Sequence, residues 1–234
     1  RLFGVVSNYT LLAIPLFTFM GVMLEKSRVA EDMLDTIGTA MGGLKGGMGL
    51  AIVLVGVLMG ASTGIVGATV VTVGLLTLPT LMKRGYAPSV ACGTICASGT
   101  LGQIIPPSLV LILLSDIMGE SVGTLFAAAL IPGLVLAGIY CAYLILLGMF
   151  MPKLVPAVPL EERQKINRAE LRKKLLRDVG PPVLLVLAVL GSIVAGIAAP
   201  TEAASMGALG ALLIAVGFGR MNMQLLKDTM HGTL

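Results

Sequence analysis

The sequence predicts an all-α polytopic membrane protein, and three observations carry that expectation. Of the 234 residues, 56% are apolar and only 12% are charged, with a mean hydropathy of +0.99, far from the balance of a globular domain. Apolar segments of about 18 to 30 residues recur, each able to cross ~30 Å of hydrocarbon and too many for a signal peptide or a single anchor. The basic residues fall between these segments, so the net charge of +4 reports topology in a lipid bilayer and gives no reason to expect a nucleic-acid partner.

Tyr9 to Glu25 reads as a first span with a kink at Pro15. Arg28 to Leu44 follows as an amphipathic helix along an interface, with Met33, Ile37, Met41 and Leu44 opposed by Glu31, Asp32 and Asp35. Gly47 to Met82 consists of two apolar arms around Ala61 to Thr69. Lys45 precedes it and Lys83 and Arg84 follow it, so both ends share one side of the membrane. Each arm is about 18 residues, at the lower limit for a crossing, so two full spans and a re-entrant hairpin both remain open.

Ser89 to Met118 would run about 45 Å if helical throughout, which is too long for a straight span. Its centre reads Ala-Ser-Gly-Thr-Leu-Gly-Gln-Ile-Ile-Pro-Pro-Ser, from Ala97 to Ser108. Pro106 and Pro107 cannot donate to a preceding turn but suit the first turn of a new helix, so two half-helices are expected, Ser89 to about Leu101 and Pro106 to Met118. Val122 to Phe150 is a further span with a kink at Pro132. Val183 to Ala199 and Ala203 to Phe218 are two more, divided by a turn at Pro200. Between them and Phe150, Lys153 to Asp178 is polar. Its later part reads as a basic surface helix, with Glu161 to Lys165 and Glu170 to Lys174 pairs at helical spacing and Leu171, Leu175 and Leu176 on one side. The plain reading is a linker on the membrane surface; the sharper one is binding of anionic headgroups. In this layout every basic residue from Lys26 to Lys227 is cytoplasmic. Only Arg1 lies outside, beside Asp116, Glu120 and Glu202.

Freed backbone groups at membrane depth are costly unless protein, water or ligand satisfies them, so broken helices there normally line a cavity. In the Ala97 to Ser108 segment one half-helix offers unpaired carbonyls, which suit small cations, and the next offers a positive N-terminus, which suits anions. Ser98, Thr100, Gln103 and Ser108 add neutral polar groups, and Gly99 and Gly102 allow a ligand to approach the backbone. Ser62, Thr63, Gly64, Gly67, Ala68 and Thr69 repeat this chemistry between the arms of the preceding segment. The competing reading is that both stretches are close-packing faces between helices.

Other candidates are weaker. Asp116 and Glu120 read as interface and capping residues, and Glu202 as a cap for the helix that follows it. Cys92, Cys96 and Cys141 read as packing residues, with neither a disulfide framework nor a second ligand cluster. His231 has no partner nearby in sequence. No Ser/His, paired-Asp or metal-ligand spacing suggests an enzyme, and no cofactor is expected.

Taken together, "LLAIPLFTFMGVMLE", "GASTGIVGATVVTVGLLTLP", "KRGYAP", "ASGTLGQIIPPS" and "APTEAASMGALGALL" resemble the large membrane subunit of tripartite ATP-independent periplasmic (TRAP) transporters, in order from Leu11 to about Leu213. The resemblance implies an elevator-type secondary transporter of the bacterial inner membrane, built from inverted repeats and coupled to sodium. Small carboxylates would arrive on a periplasmic solute-binding protein, and a small membrane subunit would be the other partner. It also implies that residues 1–46 form a scaffold span and arm, 47–118 a re-entrant hairpin and discontinuous helix, 119–152 the span closing a first repeat, 153–179 a cytoplasmic linker, and 180–234 the start of a second repeat. Sodium would be held by Ser62, Thr63, Gly64, Ser98, Gly99 and Thr100, and the substrate beside Gly67, Thr69, Gly102, Gln103, Pro106, Pro107 and Ser108. Many members carry a Gly-Ser-Ser tip where this chain has Ser62-Thr63-Gly64. The chain reads as a piece of a longer permease, lacking the second half of the expected site. The alternative is a non-transporting scaffold subunit whose glycines serve only packing.

Overall fold

A computed structural model describes residues 11–63, 66–158 and 168–233. Among these, eleven helices follow in chain order: α1 (Ala13–Lys26), α2 (Val29–Met41), α3 (Gly47–Thr63), α4 (Val66–Lys83), α5 (Pro88–Ile104), α6 (Leu109–Met118), α7 (Val122–Phe150), α8 (Arg168–Asp178), α9 (Gly180–Val194), α10 (Pro200–Gly217) and α11 (Met223–Thr233). Four stretches are long and apolar enough to cross a membrane: Pro88–Met118, Val122–Phe150, Glu170–Val194 and Pro200–Gly217.

The sequence explains most of the boundaries. Pro15 is the third residue of α1, in the first turn where its missing N–H has no intrahelical acceptor to lose, so it starts the helix and does not kink it. Glu202 sits in the first turn of α10 and its carboxylate accepts from the Ala199 N–H at 3.0 Å, the capping role expected of it. Ser121 caps α7 by accepting from the Thr124 N–H at 3.1 Å. The span α10 begins at Pro200, three residues before the expected Ala203, because proline is accommodated at the first helical position.

Three buried clusters organise the chain. One joins α1, α9 and α10 with Ile112 of α6 and Val122 and Phe126 of α7. A second joins α2, α3, α4 and the start of α5. The third, around Leu50, Val53, Leu101, Ile105, Leu144 and Val186, stitches α3 and α5 to α7 and α9. α3 therefore sits at the centre, against α2, α5 and α7.

Two polar ends flank these cores. At the basic end, the Arg220 guanidinium donates to the Ser27 carbonyl at 2.8 Å and pairs with Asp32 at 2.9 Å. There the buried Thr36 hydroxyl donates to Asp178 at 2.7 Å, and Lys174 reaches Asp35 at 3.0 Å. The Ala87 N–H donates to Leu154 O at the same end. At the other end, Asp116, Glu120 and Ser121 gather beside Pro200. The charge segregation expected from the sequence is thus the geometry of the fold. The Glu161 to Lys165 pair lies outside the described residues.

Arg220→Ala is expected to lower the thermal unfolding midpoint of the detergent-solubilised permease more than Lys174→Ala does. The Arg220 pair is part-buried, with side-chain exposures of 33% and 28%, whereas the Lys174 pair is open, at 53% and 71%, and open pairs contribute little. Equal shifts in a fluorescence melt would contradict this.

Candidate functional site

The expected break in the long span exists, but its limits differ from those read from sequence. α5 continues to Ile104 and α6 starts only at Leu109, so Pro106 and Pro107 lie between the half-helices and not in the first turn of the second. The cause is the Ile-Pro-Pro sequence. A residue that precedes proline is pushed out of the helical region, and Ile105 is accordingly extended, at φ −83° and ψ 122°. Pro106 itself precedes Pro107, and the peptide between them is cis. Helical geometry resumes after Ser108.

Ser108 is fully buried. It occupies the position before α6 without capping it; its hydroxyl instead donates to the Gln103 carbonyl at 2.7 Å, so it satisfies one of the C-terminal carbonyls of α5. Ser98 is also fully buried and donates to Ile95 O at 2.9 Å. Thr100 donates to Ala97 O at 2.8 Å, and both Thr100 and Gln103 lie on the exposed side of α5.

The glycines have a different setting from the one expected. Gly102 of α5 lies backbone to backbone against Gly60 of α3, and Gly99 lies against Val70 of α4. Gly56 meets Ser98 in the same way, where an added Cβ would come within 2.6 Å of the Ser98 Cβ. Gly99 and Gly102 thus admit neighbouring helices on their bare faces. The signal for this was present in the sequence: Gly56-x-x-x-Gly60 and Ser98-x-x-x-Gly102 are both small residues at four-residue spacing, which lets membrane helices approach closely.

These contacts set the depth of the hairpin. α3 and α5 both leave the basic end and run parallel, with Gly56 beside Ser98 and Gly60 beside Gly102. One further turn brings Thr63 level with Ile105, where α5 breaks. α3 ends at Thr63 and α4 returns from Val66 towards Lys83, so the two arms turn back at the depth of the break and do not accompany α6. The apolar stretches of the two arms, Gly47–Gly60 and Thr69–Lys83, are shorter than the four candidate spans. Ser62 and Thr63 fall at the end of α3, Gly67 at the exposed start of α4, and Thr69 is buried one turn further on. Gly64 lies outside the described residues.

Two neighbours of the break were not anticipated. Gly133 of α7 abuts it, where an added Cβ would lie 2.7 Å from Ile105 Cγ1, and the adjoining Pro132 removes a helical donor at the same level. On the other flank, the Thr72 hydroxyl of α4 donates to the Glu25 carboxylate of α1 at 2.6 Å, linking the hairpin to the α1, α9 and α10 cluster. No pattern within either segment marked this pair. The contact joins residues 47 positions apart.

Residues 1–234 match the family described as "Tripartite ATP-independent periplasmic transporter, DctM component". The chain belongs to that family. It is 34% identical to the C4-dicarboxylate TRAP transporter large permease protein DctM of Pseudomonas aeruginosa, over 92% of this chain and 49% of the relative. The ectoine/5-hydroxyectoine permease UehC of Ruegeria pomeroyi is 28% identical, over 96% of this chain and 51% of the relative. The sialic acid permease SiaM of Vibrio cholerae is 26% identical, over 100% and 54%. The chain spans about half the length of these relatives, which are transporter permease subunits and not enzymes. It is a multi-pass membrane protein.

Ser108→Ala would remove the donor to the part-buried Gln103 carbonyl and is expected to cost about 1 kcal/mol of stability. Thr100→Val, at an exposed hydroxyl, should cost well under half of that. Unfolding of the two variants in mixed detergent distinguishes them. Gly102→Ala should destabilise strongly by prising α3 from α5, whereas Gly93→Ala, which has open space at the Cβ position, should stay within about 0.5 kcal/mol of wild type.

Proposed function

We propose that this chain forms half of the membrane pathway of a sodium-coupled, binding-protein-dependent secondary transporter. The complete permease imports small organic acids across the bacterial inner membrane. The observation that carries the reading is the meeting of the hairpin tip and the α5–α6 break at one depth. Interrupted helices at that depth are the usual means by which membrane transporters present backbone groups to a charged cargo.

The chemistry divides between the helix ends. The last carbonyls of α5 suit sodium, which takes neutral oxygen ligands, and the residues assigned to it are Ser62, Thr63, Gly64, Ser98, Gly99 and Thr100. The free N–H groups of Leu109, Val110 and Leu111 in the first turn of α6 face the break and suit a carboxylate. Gln103 and Thr100 offer exposed polar contacts beside it. The carboxylates in the names of the relatives, C4-dicarboxylate and sialic acid, support an organic acid as cargo. The word tripartite in the family description supports a periplasmic solute-binding protein and a small membrane subunit as partners.

Movement would separate the buried clusters. The hairpin and α5 are joined through backbone contacts; α1, α9 and α10 form a second group, which meets the first through α1 on α3 and through Val186. An elevator mechanism slides the first past the second, and the inverted second repeat in the rest of the permease completes the site. The basic end faces the cytoplasm.

A scaffold subunit is the second reading, favoured by the packing of Gly56, Gly60, Gly99 and Gly102 between helices. Proteoliposomes containing the full-length permease, its small subunit and its binding protein separate the two. Gln103→Leu should lower sodium-dependent uptake by about tenfold, the loss of one polar contact of ~1.4 kcal/mol, with insertion and yield unchanged. Uptake at the wild-type rate in this variant would falsify the site assignment.

A further inference from the structure

The basic helix singled out in the sequence has no part in the proposed pathway, yet it adjoins a groove of about 660 Å3 lined by Leu175, Leu176, Val179, Val183, Leu184 and Leu187. These positions recur at three- and four-residue steps and form one stripe that crosses Val179, where α8 gives way to α9. Leu176 and Leu184 are 75% and 71% exposed. One turn back along the same stripe comes Arg172, with Lys173 beside it, both exposed. Lys174 is engaged by Asp35 and Arg177 lies 6.0 Å from the Phe218 ring centroid, but among the described residues Arg172 and Lys173 form no ion pair.

We propose that this groove binds one anionic phospholipid, with its phosphate on Arg172 and Lys173 and an acyl chain along Leu176, Leu184 and Leu187. Two features argue for that occupant. The order of chemistry, cationic at the basic end and then aliphatic for about 18 Å of helix, matches a headgroup followed by one leaflet of hydrocarbon, roughly 15 Å. The wall is leucine and valine, unlike the α3–α5 seam, where glycine and serine admit another helix. The position of the site in the cytoplasmic leaflet rests on the orientation proposed above; binding itself requires no transport.

The test uses full-length permease in nanodiscs of phosphatidylcholine doped with phosphatidylglycerol, followed by native mass spectrometry of the lipid retained on release. Wild type should retain one phosphatidylglycerol. Arg172→Gln and Lys173→Gln should each weaken retention about fivefold, and Leu184→Trp, which fills the groove with the charges intact, should reduce it comparably. Equal retention by the doubly neutralised variant overturns the proposal. So does loss in that variant with no effect of Leu184→Trp, which would indicate diffuse attraction without a groove. A permease dimer that Leu184→Trp dissolves would assign the groove to a second copy. Sodium-dependent uptake measured on the same variants separates a failure of the lipid site from a failure of the transport reading.

Discussion

Consecutive prolines at 106 and 107 withdraw two amide donors from the middle of a membrane span and force the residues before them out of the helix. In hydrocarbon the stranded carbonyls cannot turn to solvent. Much of the surrounding architecture follows from sheltering that interruption. Ser108 serves the Gln103 carbonyl, the hairpin α3–α4 rises to the same depth and stops, and α7 presents Gly133 so that its backbone can close against Ile105. Three separate elements bring their smallest residues to one place because the polypeptide there cannot satisfy itself.

That shelter is assembled by backbone contact. Gly60 and Gly102 leave no side chain between α3 and α5, so the two helices cannot slide or roll past one another without a clash, and the hairpin behaves as part of the broken helix. Its connections to α1 are of another kind. Thr72 and Glu25 meet through one hydrogen bond, and α1 also packs directly against α3. α2 is tied at the basic end by Asp32 to Arg220 and by Asp35 and Thr36 to α8.

Much of this was legible in the sequence. Hydropathy marked the long apolar helices Pro88–Met118, Val122–Phe150 and Pro200–Gly217, because only such stretches can lie in hydrocarbon. The Pro-Pro pair gave the break. Its limits were misjudged by three residues because proline was credited with starting the next helix, whereas its effect on the preceding residue decides the geometry here. The glycines were read as approaches for a ligand because their chemistry is the same whether a helix or a ligand occupies the bare face; only the register of α3 on α5 separates the two. The Glu25 to Thr72 contact was invisible for a simpler reason, since each residue is unremarked in its own segment and only tertiary packing brings them together.

The parallel course of α3 and α5 has a further consequence. Both helices end at one level, so their negative poles converge there, and the helices that leave that level, α4 and α6, begin there with their positive poles. Each pole is equivalent to roughly half an elementary charge. Four of them in two opposed pairs make an electrostatic quadrupole, whose field is strong within a few ångströms and cancels beyond. Such an arrangement adds no net charge to the protein interior, and its field reaches only what lies against the helix ends.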